Sequence, residues 1–203
     1  RFTIITDAES DEKMLCMGLA FMPLAAIIDF ELTLTAPPRV TADTGIDALT
    51  HGIEAYVSQK ASPFSDQQAL SAIALLAPNL RRVYHNPDDR EAREAMMLGS
   101  TLAGIAFSNA SVALVHGMSR PIGAHFHVPH GLSNAMLLPA ITRFSLPGAP
   151  ARNAQRARTM GIATPKDSDT LANERLLDEL QAINRELQVP SMADFGIARE
   201  KYE

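Results

Sequence analysis

The pattern of hydrophobic and polar positions changes near residue 37. Before that point, two segments are rich in β-branched and aromatic residues, FTIIT at 2–6 and AAIIDFELTLT at 25–35, and both compositions predict β-strands. Pro37 and Pro38 end the second segment, because proline supplies no backbone donor to a sheet. After them, apolar residues recur at helical spacing. In ADTGIDALTHGIEAYVS these are Ile46, Leu49, Ile53 and Val57.

Capping residues indicate where the predicted helices begin. Thr41 is expected to cap the first helix. Ser65 with Gln68 forms a capping-box pattern before ALSAIALLAPNLRRVY, which predicts the second helix. Pro78 lies inside that second helix and is expected to kink or split it, because it removes a backbone donor.

A third helix is expected to open at the aspartate pair 88–89, and its second half, GSTLAGIAFSNA, is dominated by small residues. Small side chains let helices approach closely, so we expect this helix to be central and buried. Four further helical patterns follow at 111–118, 131–144, 150–162 and 169–187. The predicted fold class is therefore mainly α, a multi-helix bundle domain of roughly seven helices with a short N-terminal β segment.

Composition and charge exclude several function classes. The chain has 203 residues, of which 46% are hydrophobic and 20% charged, so it can bury a substantial core. Its net charge is −5 and it has no dense block of lysine or arginine, which argues against a nucleic-acid partner. No apolar run is long enough to span a bilayer, so we expect no membrane partner.

The single cysteine and the first residues bear on the cellular location of the chain and on what lies upstream of it. The single cysteine, Cys16, excludes an internal disulfide and is expected to be a small buried hydrophobe. One cysteine and no signal-peptide pattern favour a reducing, cytoplasmic location. The chain begins at Arg1 with a strand already in progress rather than with methionine, so we expect part of the parent protein to lie upstream.

An aspartate and a histidine lie one helical turn apart in TGIDALTHGIEAYVS. The four-residue spacing of Asp47 and His51 places both side chains on one face of the predicted helix. A carboxylate and an imidazole so arranged can bind a metal ion from a rigid platform. The alternatives are an Asp–His hydrogen bond or two unrelated polar residues. Glu54, three positions after His51, either orients a ligand or is a solvent-exposed helix residue.

Four of the six histidines fall within VHGMSRPIGAHFHVPHGLS. His116 follows an apolar helical segment, so it is either a ligand or a hydrogen-bonded core residue. His130 stands between a proline, which fixes the chain before it, and a glycine, which permits a tight entry into the next helix. His125 and His127 lie in the connecting segment and share one face if that segment is extended. We expect them to be pocket or solvated residues rather than ligands.

One metal site can be assembled from these two regions. Asp47 and His51 would come from one helix, and His116 and His130 from the ends of two others. One carboxylate and three imidazoles suit Fe²⁺, Zn²⁺ or Mn²⁺, and the lack of thiolates favours a catalytic over a structural site. Phe107, nine residues before His116, belongs either to the core or to the lining of a pocket.

Three stretches carry a family resemblance: AAIIDFELTLTAPP, TGIDALTHGIEAYVS and AGIAFSNASVALVHGMSRPIGAHFHVPHGLSNAMLLP. Together they resemble the iron-containing (group III) alcohol dehydrogenases, from Arg1 to at least Leu138 and more loosely beyond. The resemblance implies a metal set of one aspartate and three histidines, carried over to Asp47, His51, His116 and His130. It also implies the dehydroquinate-synthase-like superfold, in which an N-terminal α/β domain binds NAD(P) and a C-terminal helical domain holds the metal.

By this resemblance, residues 1–37 are the last strands of a mostly absent NAD(P)-binding domain, and residues 38–203 are the helical metal and substrate domain. The Gly-Gly-Gly-Ser turn that holds the cofactor pyrophosphate in the family does not occur in this sequence. Leu32 and Phe107 are implied to border the cofactor or the substrate.

The chain departs from the family pattern at one position. Many members have a further histidine four residues after the ligand that corresponds to His116, where this chain has Arg120. A proton-relay role at that position is therefore in doubt. Arg120 suits an anionic substrate group or the cofactor phosphates instead, and His127 is the substitute candidate for the missing histidine.

The function implied by the resemblance is that of a metal-dependent alcohol dehydrogenase or aldehyde reductase. Hydride would pass between a small-molecule alcohol and NAD or NADP, with Fe²⁺ or Zn²⁺ as the metal, in a homodimer. The segment alone is expected to be inactive, because half of the cofactor site would lie upstream. The alternatives are a zinc-dependent enzyme resembling glycerol dehydrogenase or dehydroquinate synthase, a metal-dependent hydrolase, and a non-catalytic metal-binding helical module.

Overall fold

A computed structural model describes residues 2–9 and 13–202 of the chain. Within that part, the chain forms one β-hairpin, eight α-helices and three short 3-10 helices. The α-helices are α1 (Pro38–Val57), α2 (Pro63–His85), α3 (Arg90–Ala110), α4 (Leu114–Phe126), α5 (His130–Ser145), α6 (Pro150–Thr159), α7 (Asp169–Glu186) and α8 (Arg199–Tyr202). The mainly α fold class is confirmed.

The N-terminal segment forms a two-stranded antiparallel hairpin of β1 (Phe2–Thr6) and β2 (Lys13–Met17). The strand predicted at 2–6 is confirmed, whereas β2 was not predicted. Cys16 lies in β2 and is only partly buried, so the prediction of a buried position is wrong.

The second predicted strand, at 25–35, is wrong. Residues 25–29 have no regular structure, and a 3-10 helix follows at Phe30–Thr33. The side chain of Asp29 accepts a hydrogen bond from the backbone N–H of Glu31 at 2.9 Å, which favours a tight turn over an extended strand. Most apolar side chains of this segment are exposed, Ile27 almost completely, whereas Phe30 and Leu34 are partly buried.

Two helices begin earlier than predicted. Pro38 is the first residue of α1 and follows Pro37, so Thr41 lies buried inside the helix instead of capping it. The cap of α2 is Ser62, whose hydroxyl accepts from the backbone N–H of Ser65, while the Ser65 hydroxyl accepts from the N–H of Ser62 at 2.8 Å. The capping box is therefore present, three positions before the predicted one.

The start of α3 and the proline inside α2 were also predicted. Asp89 caps α3 by accepting from the N–H of Ala92 at 3.0 Å, which confirms the predicted start. The α2 helix runs continuously past Pro78, so the predicted split is wrong. A proline costs its helix one hydrogen bond, but packing of the whole helix compensates for that loss.

The central helix of the bundle is α1, which contacts α2, α3, α4, α5 and α6. It buries Ile46, Leu49 and Ile53 in the main core. Complete burial of one such side chain stabilises the fold by about 1.5–3 kcal/mol. The metal-binding pattern was predicted on this same helix, so the predicted site lies on the central helix of the bundle.

The α3 helix packs against α1 and α2 through its small residues, as predicted. A Cβ atom on Gly99 would lie 2.7 Å from Cγ of Leu76, so the two helices approach too closely for a larger side chain. The prediction of a buried helix holds for one face only, because Leu98 and Ile105 on the other face are 49% and 39% exposed.

Among the described residues, no single helix has the length and apolarity to cross a membrane. The pair α3 and α4 reaches that threshold only when taken together, and the two helices are bent by 102° relative to each other.

Candidate metal centre

The four predicted ligands converge at one point between α1, α4 and α5. Asp47 and His51 lie on α1, His116 lies in the first turn of α4, and His130 is the first residue of α5. Each side chain offers one ligand atom, and these atoms all lie within 4.8 Å of one another. The arrangement can therefore hold one metal ion with four protein ligands.

Asp47 is the common neighbour of the three imidazoles. Its Oδ1 lies 3.4 Å from Nε2 of His116 and 3.8 Å from Nε2 of His130, and its Oδ2 lies 3.8 Å from Nδ1 of His51. The rings of His51 and His116 are close, with centroids 4.3 Å apart. A cation at this point would be reached by a carboxylate from one side and imidazoles from the others.

Burial and the neighbouring charges together set the protonation of the two α1 residues. Burial lowers the pKa of His51 to about 4, against the attraction of Asp47, so the ring is neutral at pH 7 and keeps a free lone pair. Burial alone would raise the pKa of Asp47, but the hydrogen bond with His116 and the charges of the nearby histidines hold it below its ordinary value. Asp47 is therefore a carboxylate at neutral pH, and both groups are in the form that binds a metal.

A buried carboxylate orients His116. Glu54 is 3% exposed, and its Oε2 accepts a 2.7 Å hydrogen bond from Nδ1 of His116. When the ring is neutral, this bond keeps its proton on Nδ1 and leaves the Nε2 lone pair facing the cluster. Although burial favours the neutral ring, Asp47 and Glu54 together raise the pKa of His116. Of the two interpretations of Glu54, ligand orientation agrees with this geometry and solvent exposure is wrong.

Glu54 also caps the N-terminus of α4. Its carboxylate accepts from the backbone N–H groups of Ala113 at 2.9 Å, Val115 at 2.6 Å and His116 at 3.3 Å. Burial would raise the pKa of Glu54, but the bonds from His116 and Ala113 lower it further than burial raises it. One side chain therefore fixes both the start of the helix and the ring that the helix carries.

Asn134 was not predicted, yet it lies at the centre of the cluster. Its Nδ2 donates to Asp47 Oδ1 at 2.5 Å and lies 3.1 Å from Nε2 of His116 and 3.2 Å from Nε2 of His130. Its Oδ1 is buried and has no hydrogen-bond partner. The Nδ2 group of Asn134 therefore lies where Oδ1 of Asp47 and the Nε2 atoms of His116 and His130 converge. A metal cation would fit the same three acceptor atoms. The four-residue spacing from His130 on α5 was the available signal.

Phe107 lies against the cluster. Its ring stacks on that of His51, with centroids 4.4 Å apart and an angle of 24° between the planes. Of the two interpretations of Phe107, lining of the site therefore agrees with the structure. Leu32, the other predicted cofactor neighbour, lies in the 3-10 helix Phe30–Thr33 and is 80% exposed.

The remaining candidates lie outside the cluster. Arg120 is exposed and follows His116 by one turn on α4. His125 lies in the last turn of α4, which continues to Phe126, so the segment is not extended and the condition for His125 and His127 to share one face is not met. His127 ends the helix in the left-handed conformation with φ 54° and is exposed.

Substitution of Gly131 is expected to disturb the site from outside the ligand set. A Cβ atom at Gly131 would lie 2.6 Å from the backbone oxygen of Asp43, so Gly131→Ala must push α5 and its first residue, His130, away from α1. We expect a loss of about 1–3 kcal/mol of stability and weaker metal binding, measured by chemical denaturation and metal titration.

Gly117→Ala is the matched control, since Gly117 adjoins His116 and has no atom within 4 Å of the added Cβ. This variant should bind metal normally and be stabilised by about 0.5–1 kcal/mol. Equal behaviour of the two variants would contradict the close contact between α5 and α1.

Comparisons with known proteins point to one family. The family model described as "Fe-containing alcohol dehydrogenase family, C-terminal" matches residues 41–203. The chain is 36% identical over its full length to the NADPH-dependent butanol dehydrogenase of Clostridium saccharobutylicum, and covers 51% of that protein. It is 44% identical over 88% of its length to long-chain-alcohol dehydrogenase 1 of Geobacillus thermodenitrificans, and covers 45% of that protein.

A solved structure gives the same result for the fold. The crystal structure of a 1,3-propanediol oxidoreductase superposes with a TM-score of 0.94 and 35% identity, over 99% of this chain and 53% of the other. The chain spans about half the length of the curated relatives it matches. From these matches and the helical fold, the chain belongs to the iron-containing alcohol dehydrogenase family and corresponds to its C-terminal helical domain.

Proposed function

We propose that the protein containing this chain is a metal-dependent alcohol dehydrogenase or aldehyde reductase, with Asp47, His51, His116 and His130 as its metal ligands. The observation that carries the proposal is the convergence of one carboxylate and three imidazoles within 4.8 Å in a member of this family. We propose Fe²⁺ as the metal, with Zn²⁺ as the alternative because the same ligand types accept both. The name of the butanol dehydrogenase relative supports a nicotinamide cofactor.

The residues of this chain prepare the site for that chemistry. When bound, the metal supplies a Lewis acid that lowers the pKa of an alcohol oxygen, and the nicotinamide accepts the hydride. The α1 helix, whose other side chains are mostly buried, holds Asp47 and His51 one turn apart. Glu54 fixes the ring of His116. Phe107 covers one face of His51, which limits the access of water to that ring.

A hydrolase is less well supported by the same geometry. It would need a general base beside the metal, and Glu54 and His127 were the candidates. Both Glu54 oxygens already accept hydrogen bonds from α4 and His116, so neither is available to activate water. His127 is exposed at the end of α4. The dehydrogenase proposal does not need a base of this kind from either residue.

We also propose the predicted domain division, with residues 1–37 belonging to a cofactor-binding domain and 38–203 forming the helical domain. The first long helix begins at Pro38. Leu24 and Ile27 are almost completely exposed and Leu32 is 80% exposed, as expected of side chains that another domain or a cofactor covers. The homodimer and the cytoplasmic location stay predictions.

An alcohol panel tests the proposed function. The full-length protein, purified anaerobically and loaded with Fe²⁺, should reduce NAD or NADP with at least one small primary alcohol or diol. Chelation should remove the activity and added Fe²⁺ should restore it. If a folded, metal-loaded protein shows no nicotinamide-linked oxidation with any alcohol and no reduction of the matching aldehydes, the proposed function is wrong.

Substitution of Arg120 is expected to change substrate or cofactor binding and to leave metal content unchanged. Arg120 lies one turn after His116 but outside the cluster, and it is exposed. Loss of one charge-assisted hydrogen bond in Arg120→His should raise the KM for the cofactor or for an anionic substrate about tenfold. Arg143→His, on the exposed surface of α5, is the control. Loss of metal from Arg120→His would contradict its placement outside the ligand set.

A further inference from the structure

A cavity of about 500 Å³ lies apart from the candidate metal ligands. It is enclosed by the C-terminal end of α1, the turn before α4, the end of α5 and one face of α6. None of Asp47, His51, His116 and His130 lines it, although Glu54 forms part of its wall. The cavity is therefore separate from the proposed site of alcohol oxidation.

A buried arginine without a charged partner lines this cavity. Arg156 is only 3% exposed. Its Nη1 donates to the backbone oxygen of Ile53 at a long 3.3 Å, its Nε has no partner, and it forms no ion pair with a carboxylate in the described part of the chain. Burial lowers its pKa to about 9, so the guanidinium still carries its charge at pH 7. A buried cation without a direct counter-charge is costly.

Glu54 does not neutralise Arg156 by direct contact. Its oxygens already accept from the first turn of α4 and from Nδ1 of His116. Its charge still attracts Arg156 at longer range. The Nε–H of Arg156 is left buried without a partner in a residue that lines the cavity.

A buried acceptor lies one turn before the arginine on α6. Asn153 is 2% exposed, and its Nδ2 donates to the backbone oxygen of Ala149 at 2.8 Å. A carbonyl oxygen can only accept, so this bond fixes the orientation of the amide. The Oδ1 of Asn153 is then left buried without a donor. The cavity wall thus offers a cationic donor at Arg156 and an acceptor at Asn153.

We propose that this cavity binds a small oxyanion that also carries an O–H group, a class that includes hydrogen phosphate and short hydroxycarboxylates such as glycolate. The anionic oxygens would accept from the guanidinium of Arg156, and the O–H would donate to Oδ1 of Asn153. Lys60 is exposed and also lines the cavity, where its positive charge favours entry of an anion. The ligand would satisfy both buried groups that the fold leaves without partners.

Thermal unfolding of the full-length, metal-loaded protein tests this site. At constant ionic strength, inorganic phosphate or glycolate should raise the Tm saturably, by about 1–3 °C at ten times Kd. Acetate lacks the O–H donor and should act more weakly, and chloride should have no effect. Separate titrations with phosphate and with glycolate show which of the two kinds of oxyanion the site binds.

Arg156→Met should abolish the response, and Arg143→Met, which removes the same charge from an exposed position on α5, should retain it. Phosphate bound at the metal instead would act equally on both variants, and that result would overturn the proposal. We expect Arg156→Met to fold, because it replaces an unpaired buried charge with an apolar side chain.

If Arg156→Met does not fold, the Asn153→Ala variant and a crystal structure test the proposal instead. Asn153→Ala should remove the advantage of glycolate over acetate. A crystal grown in phosphate or glycolate should show the oxyanion within hydrogen-bond distance of Arg156 and Asn153. Water alone in the cavity, or no saturable change in Tm with either anion, would overturn the proposal.

Discussion

Replacing Asp47 with alanine is expected to remove the bound metal and to reduce nicotinamide-linked alcohol oxidation to background. Asp47 is the one carboxylate of the four proposed ligands, and its oxygens lie 3.4–3.8 Å from nitrogens of all three imidazoles. Without it, three imidazoles would face each other with no negative charge to balance a divalent cation. We expect kcat/KM to fall about 10³-fold or more, since the metal supplies several kcal/mol of stabilisation to the reacting oxygen.

The measurement for Asp47→Ala combines metal content with kcat/KM on one protein preparation. Asp178→Ala, on the exposed face of α7, is the control and should resemble the wild type in both. A folded Asp47→Ala protein that keeps its metal and its activity would rule out the proposed ligand set.

Replacing Glu54 with glutamine is expected to damage both the fold and the metal centre. The carboxylate accepts from three backbone N–H groups and from Nδ1 of His116. A glutamine keeps one acceptor oxygen and turns an NH₂ group toward donors, so buried N–H groups lose their partners. We expect a loss of about 2–4 kcal/mol of stability and a 10- to 100-fold (order of magnitude) weaker metal affinity, because the ring of His116 is no longer fixed.

The effect of Glu54→Gln should depend on pH. Hydrogen bonds hold the pKa of Glu54 below its ordinary value of 4.5 despite burial. The stabilisation is therefore present above that value and is lost as the pH falls through the lower pKa of the folded state. Urea denaturation should show the full difference between wild type and variant at pH 7 and a smaller one in acid.

Glu94→Gln is the control for Glu54→Gln. Glu94 lies exposed on α3, so its replacement should change neither stability nor metal affinity. A Glu54→Gln protein with wild-type metal affinity would show that Glu54 only caps α4 and does not position His116.

The relative placement of Asp47 and His51 could be predicted from the sequence, because helical geometry determines it. The spacing of Asp47 and His51 places them on one face of any helix. The addition of His116 and His130 relied on their setting at helix ends and on the family resemblance. Asn134 could have been found from its four-residue spacing to His130, whereas the burial of Glu54 depends on where α4 begins, which is a long-range property.

The errors in the fold have a common physical origin. The segment 25–35 has the composition of a strand, but in the described part of the chain it has no partner strand, and most of its apolar side chains are exposed. The segment after His116 contains Pro121 and two glycines, yet α4 continues to Phe126 before the chain turns at His127. In the first case a pairing strand is missing, and in the second the packing of α4 outweighs local propensity; one sequence reveals neither.

The central claim is that Asp47, His51, His116 and His130 hold one metal ion, and metal analysis tests it most directly. The full-length protein should be purified anaerobically and its metal content measured by mass spectrometry, beside a variant with both His116→Ala and His130→Ala. The account predicts about one iron or zinc ion per chain in the wild type and almost none in the variant. A wild type without metal, or a folded variant that retains the ion, would contradict it.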